Sequence, residues 1–334
     1  RIFGYTRVFE KSYYDAFAAW CKSKYDWTFD RKELVMSNGI IPALFEMVEY
    51  ICKPDEKVLF LTPSYAYFKY AADASHRESV CSDLINTDGY YTIDYEDLEK
   101  KAADEKTTLF ILCNPHNPSG RVWKEEELKK IGEIIEKNNM WVISDEIHCD
   151  LLRLDQKHIP LGKVMPDYKQ LVTCMAPSKT FNLAGFVGSY GIIYNKYWRD
   201  RWNKEASLSH YNDMNVLWMH AMIGAYSGED GYEWVKSFQE AITENSDLIY
   251  NTLKSVPGIE VAKPEGTFMI YAQFDKYLED KGMTIDELQK KGVKYGVIWQ
   301  DGRPFHAPNS IRMNMAIPTE AAAEMARRLK EYIL

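Results

Sequence analysis

The chain has 334 residues, of which 46% are hydrophobic, and its formal net charge is −8. Because single hydrophobic cores stop growing at about 250–300 residues, this length predicts two domains. The acidic balance argues against nucleic acid as a partner, since phosphate binding needs a basic surface, and no apolar run approaches the roughly 18–20 residues that cross a membrane.

Six cysteines are spread along the chain without a tight spacing pattern, and some lie inside apolar runs, as Cys113 does. Buried, reduced thiols of this kind are typical of cytosolic enzymes rather than of secreted disulfide frameworks. The chain shows no signal peptide and begins without an initiating Met. We therefore expect a cytoplasmic protein from which an upstream segment is missing.

Short apolar runs alternate with helical patterns from about residue 5 to residue 232. This rhythm predicts an α/β large domain, with a mostly parallel sheet sandwiched between helices. Ligands of such sheets bind at the carboxyl ends of the strands, so chemistry is expected in the loops that follow them. Four runs are typical of buried parallel strands: residues 58–61, 108–112, 141–144 and 171–174.

The C-terminal hundred residues show a different pattern, with helices and strands mixed less regularly. We predict a smaller α+β C-terminal domain, with the boundary inside a long helix, so that the domains span residues 1–238 and 239–334. The expected elements are helices at 232–254, 285–291 and 320–332 and strands at 267–271 and 311–314.

The string SNGIIP, at residues 37–42, opens an amphipathic stretch that runs to about residue 50. A glycine at the start of a helix lets backbone N–H groups approach a phosphate, and the helix dipole favours the negative charge. A lone glycine in this position is weak evidence for such a site.

A rigid loop is expected after the strand at 108–112, where CNPHNPSGR occupies residues 113–121. Its two Asn-Pro pairs predict a non-helical turn, because the residue before a proline avoids the α region. Taken alone, the loop is as consistent with a simple turn as with a binding loop.

Asp145, in the string SDEIH at residues 144–148, follows the next apolar strand. A carboxylate just past the end of a strand is a common feature of sites. For this motif alone, a solvated loop acid or a helix cap is the better interpretation.

Lys179 lies in APSKTFN, at residues 176–182, just after the strand at 171–174. A lysine among small and apolar neighbours at the end of a buried strand can have its pKa lowered enough to form a Schiff base. Most lysines are ordinary surface charges, so this motif also needs the others beside it.

Together, the order and spacing of these motifs resemble the fold-type I pyridoxal-phosphate (PLP) enzymes, the aspartate aminotransferase superfamily of class I and II. The chain most resembles the branch of bacterial cysteine–sulfur β-lyases that includes cystalysin and the MalY and PatB proteins. The resemblance covers essentially the whole chain and implies PLP as the cofactor. Members usually carry an additional N-terminal stretch at the substrate entrance, which we expect to be absent here. The strings that carry the resemblance are FGYT (3–6), DGYYTID (88–94), NPHNPSGRVW (114–123), SDEIH (144–148) and APSKTFNLAG (176–185).

The resemblance implies a catalytic role for Lys179, which corresponds to the lysine that bonds to the cofactor and later moves the Cα proton. Asp145 corresponds to the acid that pairs with the pyridine nitrogen, so that the ring accepts electrons from Cα. Asn117 corresponds to the amide that hydrogen-bonds the phenolic oxygen of the ring. Tyr65 corresponds to the aromatic residue that stacks on the ring, with a core tyrosine as the alternative. His148, where many aminotransferases have a Tyr, is a further candidate contact with the cofactor.

The same resemblance implies groups for the phosphate of the cofactor. Ile40 and Ile41 are expected to offer backbone N–H groups to it, and Ser178 its hydroxyl. Tyr5 corresponds to a residue that reaches across a dimer interface to the partner's phosphate. The resemblance therefore implies a homodimer in which each active site needs two chains.

Arg312 corresponds to the arginine that clamps the substrate α-carboxylate, aided by Asn117. A guanidinium can hold a carboxylate through two parallel hydrogen bonds, which lysine cannot do. An exposed ion pair is the alternative interpretation of an arginine in this strand.

Three segments depart from the family pattern. The general aminotransferase pattern has a phosphate-gripping arginine eight residues after the lysine, where this chain has Val187, and this favours the lyase branch. EGTFMIYAQF (265–274) and VIWQDG (297–302) also differ from the usual strings. Both surround the substrate side of the site, so they put the choice of substrate in doubt.

The activity implied by the resemblance is a carbon–sulfur β-lyase of the cystathionine β-lyase or cysteine desulfhydrase type. It would carry out α,β-elimination on a sulfur amino acid to give pyruvate, ammonia and a thiol. An aminotransferase with the same site is the main alternative. A non-catalytic regulator on this fold is a further one, although Lys179, Asp145 and Arg312 are intact. No metal is expected, because the pairs Cys113–His116 and His148–Cys149 do not make up a four-ligand zinc set.

Overall fold

The computed structural model of the protein describes residue 6 and residues 11–208 and 214–334, with backbone alone described at residues 206 and 207. None of the helices in these ranges is both long and apolar enough to span a membrane. The α-helices are α1 Lys11–Tyr25, α2 Ile40–Ile51, α3 Ala66–Ala74, α4 Tyr95–Ala102, α5 Glu125–Lys137, α6 Leu161–Val164, α7 Lys196–Leu208, α8 Val216–Tyr226, α9 Glu229–Lys254, α10 Asp275–Lys281, α11 Ile285–Lys294 and α12 Thr319–Arg328. The strands are β1 Leu34–Ser37, β2 Lys57–Thr62, β3 Glu78–Asp83, β4 Ile85–Thr87, β5 Tyr90–Thr92, β6 Thr107–Cys113, β7 Trp141–Asp145, β8 Leu171–Met175, β9 Ser189–Ile193, β10 Glu260–Ala262, β11 Met269–Gln273, β12 Gln300–Asp301 and β13 Ser310–Asn314.

Seven strands form the large sheet, in the order β1-β9-β8-β7-β6-β2-β3. The neighbouring strands β8, β7, β6, β2 and β3 run parallel, and β9 pairs antiparallel with both β8 and β1. The four predicted apolar runs lie within β2, β6, β7 and β8. The predicted mostly parallel sheet is therefore confirmed.

Helices cover both faces of this sheet. Successive side chains of a strand point to opposite sides, so one strand contributes residues to the core on each face. In β6, Phe110 points to a core that contains Leu128 and Ile131 of α5. Its neighbour Ile111 belongs to the core on the other face, together with Leu44 of α2. The buried strands are thus apolar on both sides, as their sequences predicted.

The C-terminal part contains a second, four-stranded antiparallel sheet, in the order β10-β11-β13-β12. It has its own hydrophobic core, to which α10, α11 and α12 contribute Leu278, Leu288 and Ala326. This small sheet agrees with the predicted α+β pattern. Helix α9 runs through residue 238, where the sequence puts the boundary, and the division at that residue stays a prediction.

The five predicted C-terminal elements are present with shifted bounds, and two of the shifts change the local structure. The strand predicted at 267–271 begins at Met269, because Thr267 has φ of 67° and donates its backbone N–H to the Leu151 carbonyl at 2.6 Å. A β-branched residue at positive φ is uncommon, so this contact with the large domain outweighs its local preference for a strand. The closing helix leaves α-helical geometry after Arg328 and continues as a π-helical turn, Leu329–Ile333.

Candidate active site

Three central strands of the large sheet end at the same level. The register pairs Asp145, the last residue of β7, with Cys113 of β6 on one side and with Cys174 of β8 on the other. The loops that follow these strands carry Asn117, the residues after Asp145, and Lys179. The carboxyl edge of the sheet therefore brings three separate motifs together, as expected for a parallel sheet.

Asp145 is a buried carboxyl with little compensation from its surroundings. It is 5% exposed, and its Oδ1 accepts one hydrogen bond, from the Ile147 backbone N–H at 3.2 Å. Burial raises the pKa of this carboxyl to about 7; the Ile147 N–H lowers the value, the charge of Glu146 raises it and the charge of Lys179 lowers it. Desolvation thus dominates, and a cationic ligand group beside Asp145 would restore the carboxylate.

Lys179 follows β8 in a loop whose backbone is held by turns. The Phe181 and Leu183 N–H groups donate to the Pro177 and Ser178 carbonyls, each at 2.9 Å. Lys179 itself is half-buried, and in the part of the chain that the structure describes its amine has neither a hydrogen bond nor an ion pair. A lysine amine held on a fixed loop without a partner can react with a ligand.

Arg312, in the middle of β13, is a cation without an acid partner among the described residues. Its Nη1 donates to Asn117 Oδ1 at 2.6 Å, its Nη2 donates to Gln300 Oε1, and the guanidinium lies 4.4 Å from the Phe305 ring centroid. Desolvation lowers the pKa of Arg312 to about 10. Both of its hydrogen-bond acceptors are neutral amides, so the site favours an incoming anion such as a carboxylate.

His148 is buried, and two of these charged groups influence it. Burial, and then the positive charges of Lys179 and Arg312, lower its pKa to about 3. The imidazole is therefore neutral at physiological pH. Its Nδ1 has no hydrogen-bond partner within the described chain, and its ring centroid lies 5.5 Å from that of Phe268. This leaves a neutral polar atom available to a ligand.

Tyr65 precedes α3 and is half-buried. Burial raises its pKa, the charge of Asp145 raises it further, and the charge of Arg312 lowers it. Asp145 and Arg312 are therefore both close enough to influence the Tyr65 hydroxyl. Its ring centroid lies 5.2 Å from that of Tyr67 and 6.0 Å from that of Phe68, so the aromatic ring is held by packing.

The predicted phosphate end lies at the start of α2. Gly39 has φ of 108° and offers no side-chain cap, which leaves the N–H groups of Ile40 and Ile41 at an uncapped helix start. A Cβ on Gly39 would lie 4.0 Å from Val187 Cγ1. The residue that replaces the arginine of the aminotransferase pattern therefore lies at this same end.

Ser178 and Tyr5 are the other two predicted phosphate contacts. Ser178 is half-buried, directly before Lys179 in the loop after β8. Tyr5 lies outside the described residues, and so does the predicted contact with a partner chain.

The polar residues of the Asn-Pro loop contact one another. His116 Nδ1 lies 2.7 Å from the Ser119 hydroxyl, and the Cys113 thiol lies 3.2 Å from the Pro115 carbonyl. Burial lowers the pKa of His116 to about 3. These contacts stabilise the loop that presents Asn117.

Several site residues were not predicted from the sequence. Gln300 reaches Arg312 because β12 pairs with β13 directly opposite it, and Phe305 packs on the same guanidinium. Glu146, next to Asp145, is fully buried and accepts hydrogen bonds from His158 Nε2 at 2.7 Å and the Leu161 N–H at 2.9 Å. The departure already visible at residues 297–302 was the one sequence signal for Gln300, whereas nothing local identified Phe305.

Comparison with known proteins identifies the family of the chain. The family model for class I and II aminotransferases matches residues 2–329. The cystathionine beta-lyase PatB of Bacillus subtilis is 33% identical, over 98% of this chain and 84% of PatB. The PLP-bound C–S lyase from Staphylococcus hominis superposes with a TM-score of 0.93 at 40% identity, over 100% of this chain and 84% of that one. Cystalysin from Treponema denticola, which contains PLP, superposes with a TM-score of 0.92 at 29% identity, over 99% and 84% of the two chains.

Proposed function

The chain belongs to the class I and II aminotransferase family, and from that premise we propose that it is a PLP-dependent carbon–sulfur β-lyase. It would cleave a sulfur amino acid, such as cystathionine or cysteine, into pyruvate, ammonia and a thiol. One observation carries the proposal. The Lys179 amine, which has no bonded partner among the described residues, is close enough to the buried Asp145 carboxyl and to His148 to influence the pKa of both. Arg312, a guanidinium without an acid partner in the same part of the chain, influences the pKa of His148 as well. These are the groups needed to bind an amino acid through its amine and carboxylate.

The residues of the pocket fit PLP. Asp145, with its desolvated carboxyl and pKa of about 7, would pair with the protonated ring nitrogen, and Tyr65 would stack on the ring. The uncapped start of α2, at Ile40 and Ile41, would receive the phosphate, together with the hydroxyl of Ser178. When bound, PLP supplies an electron-withdrawing ring that stabilises negative charge at the substrate Cα.

The bond between Arg312 and Asn117 supports a specific orientation of the amide. Asn117 Oδ1 accepts from Arg312 Nη1 at 2.6 Å, so its NH2 group is left to donate. It would donate to the phenolic oxygen of the cofactor, and the neutral imidazole of His148 is a second candidate for that contact. A single hydrogen bond thus links the proposed cofactor contact to the proposed carboxylate clamp.

In the proposed reaction, Arg312 holds the α-carboxylate of the substrate, and Asn117 helps to orient it. The Lys179 amine removes the proton from Cα, and Asp145 stays ionised opposite the developing charge. The bond between Cβ and sulfur then breaks, and the thiolate leaves with the electron pair of that bond. One water is consumed overall when the remaining three-carbon unit gives pyruvate and ammonia, so no oxidant or reductant is needed.

An aminotransferase with the same residues is the second candidate function. The matching family model is named for aminotransferases, which favours this function. In both reactions, the same lysine would first remove the Cα proton. The greater similarity to PatB and to the Staphylococcus hominis lyase, and Val187 at the phosphate end, favour the lyase.

The test uses purified PLP-loaded protein with cystathionine or cysteine and no keto acid. We expect pyruvate, ammonia and thiol in equal amounts. Lys179→Ala should abolish turnover and the near-visible absorbance band, whereas Lys169→Ala, which alters an exposed lysine next to β8, should change neither. A strict requirement for a 2-keto acid would instead identify an aminotransferase.

We also propose that the enzyme acts in the cytoplasm as a homodimer, with Tyr5 of each chain reaching the partner's phosphate site. Support comes from the motif FGYT at residues 3–6, which resembles the family's dimer contact. Light scattering would measure the mass in solution. Tyr5→Phe should weaken PLP binding without dissociating the dimer, and a monomer with full PLP affinity would contradict the proposal.

A further inference from the structure

A buried carboxylate that none of the motifs identified, Asp150, lies beneath the Lys179 loop. It is 2% exposed. Its Oδ1 accepts from Trp20 Nε1 at 3.0 Å and from the Tyr25 hydroxyl at 2.5 Å, and its Oδ2 accepts from the Thr180 hydroxyl at 3.0 Å. No lysine, arginine or histidine of the described chain forms an ion pair with it. Neutral donors alone therefore stabilise this charge.

The Thr180 bond connects Asp150 to the residue next to Lys179. Thr180 is fully buried, and its carbonyl accepts from Trp234 Nε1 of α9 at 2.8 Å. Two polar groups of this residue are thus held, the hydroxyl by the Asp150 carboxylate and the carbonyl by Trp234 of α9. The backbone from which the Lys179 side chain extends therefore has a defined position.

Asp150 is also held through its own backbone. Its carbonyl accepts from Gln239 Nε2 at 2.7 Å, and the next residue, Leu151, donates its N–H to the His148 carbonyl at 2.9 Å. The carboxylate therefore cannot move away from the loop without disturbing α9 and the segment that carries His148.

The Asp150 side chain lies close to titratable groups of α1 and α8. The titratable groups that interact with it are Cys21 and Tyr25 of α1, Cys149 beside it and Tyr226 of α8. Burial, and then the charge of Asp150, raise the pKa of each of the four well above its ordinary value. All four stay uncharged. Since a buried ion without a counterion is costly, stability alone does not account for a charged residue here.

We propose that Asp150 is a positioning residue for Lys179, acting through the Thr180 hydroxyl. Its carboxylate fixes the loop so that the Lys179 amine points into the pocket. Its charge also favours the protonated form of the nitrogen that Lys179 contributes. The inference rests on the proposed PLP-dependent function, but it holds for a lyase and for an aminotransferase alike.

Four variants separate this role from a structural one. Asp150→Asn keeps the shape and removes the charge, whereas Thr180→Val removes the hydroxyl and Thr180→Ser keeps it. The matched control is Tyr25→Phe, which deletes a hydrogen bond to the same carboxylate from the α1 side and leaves the Thr180 contact intact.

The first readout is the rate at which the PLP-free protein captures PLP. This rate is measured from the growth of the near-visible absorbance band and from borohydride trapping at Lys179. The second is the pH midpoint of that band in the loaded protein. We expect Asp150→Asn to lower the midpoint by roughly half a unit or more. Thr180→Val should slow capture and reduce kcat by roughly tenfold with KM unchanged, and Thr180→Ser should restore most of both.

The proposal is overturned if Asp150→Asn has the same pH midpoint as the wild type and Thr180→Val captures PLP as fast as Tyr25→Phe does. If Asp150→Asn does not fold, the Thr180→Val and Thr180→Ser pair still decides the question through capture rate and kcat. Failure of the wild-type protein to capture PLP would overturn the proposed function itself, and this inference with it.

Discussion

Asp145→Asn is expected to stabilise the PLP-free protein at alkaline pH. In the folded, ligand-free chain burial raises the pKa of this carboxyl from 3.8 to about 7. An acid with a raised pKa binds more protons in the folded chain than in the unfolded one, so stability falls as the pH rises from about 4 to about 7. At 1.36 kcal/mol per unit, this shift corresponds to a loss of about 4 kcal/mol above pH 7.

Urea unfolding of the PLP-free wild type and of Asp145→Asn, at pH 8.5 and pH 5, measures this effect. At pH 8.5 the variant should be more stable by up to about 4 kcal/mol, because it carries no charge to desolvate. At pH 5 most of the wild-type carboxyl is protonated in the folded state, and the advantage should shrink to about 2 kcal/mol. Asp167→Asn, at an exposed position, is the matched control and should show no such dependence on pH.

The loaded enzyme should respond in the opposite way. If Asp145 pairs with PLP as proposed, the ring nitrogen would be the cation that Asp145 lacks among the described residues, and an amide could not keep that nitrogen protonated. Asp145→Asn should then lose turnover by roughly a hundredfold or more. A stability difference that is the same at both pH values would refute the reasoning, since it would mean that burial does not raise the pKa of Asp145.

Three further substitutions test other residues of the candidate site. Arg312→Lys, which offers one nitrogen where the guanidinium offers two, should raise KM for cystathionine by roughly 10- to 100-fold with a smaller change in kcat; an unchanged KM would exclude Arg312 as the carboxylate clamp. Gln300→Ala removes a neutral acceptor that competes with the substrate for the Arg312 Nη2 group, so steady-state kinetics should show KM reduced by roughly two- to fivefold, and a higher KM would contradict this. Because the pKa of His148 is lowered to about 3, its ring does not titrate above pH 5; His148→Asn should leave the shape of the kcat profile between pH 5.5 and 8 unchanged, and loss of a limb would refute a neutral His148.

The central strands could be predicted because their signal is local. The apolar run that became β6, for example, alternates between two cores through Phe110 and Ile111, and a strand with both faces buried needs apolar residues at every position. The strand ends then located Asp145 and Lys179. Since parallel strands share a carboxyl edge, the two motifs had to approach each other whatever the rest of the chain did.

Contacts between distant segments could not be predicted in this way. Arg312 and Asn117 are 195 positions apart in the chain, and only the docking of the small sheet brings them within hydrogen-bonding distance. Thr267 illustrates the same limit: its β-branched side chain predicts a strand, but a backbone bond to Leu151 holds it at positive φ. In both cases a long-range contact decided the outcome.

The sequence by itself therefore determined the type of fold, the edge of the sheet at which the site lies, and the residue types that meet there, because these follow from hydrophobic periodicity and from the loop chemistry next to each strand. Only the tertiary structure decided which of these groups are desolvated and which have partners. The raised pKa of Asp145, the lack of an acid partner for Arg312 among the described residues and the link from Asp150 to the Lys179 loop all depend on burial by segments remote in the chain. Burial is a property of the packed whole, and no local pattern encodes it.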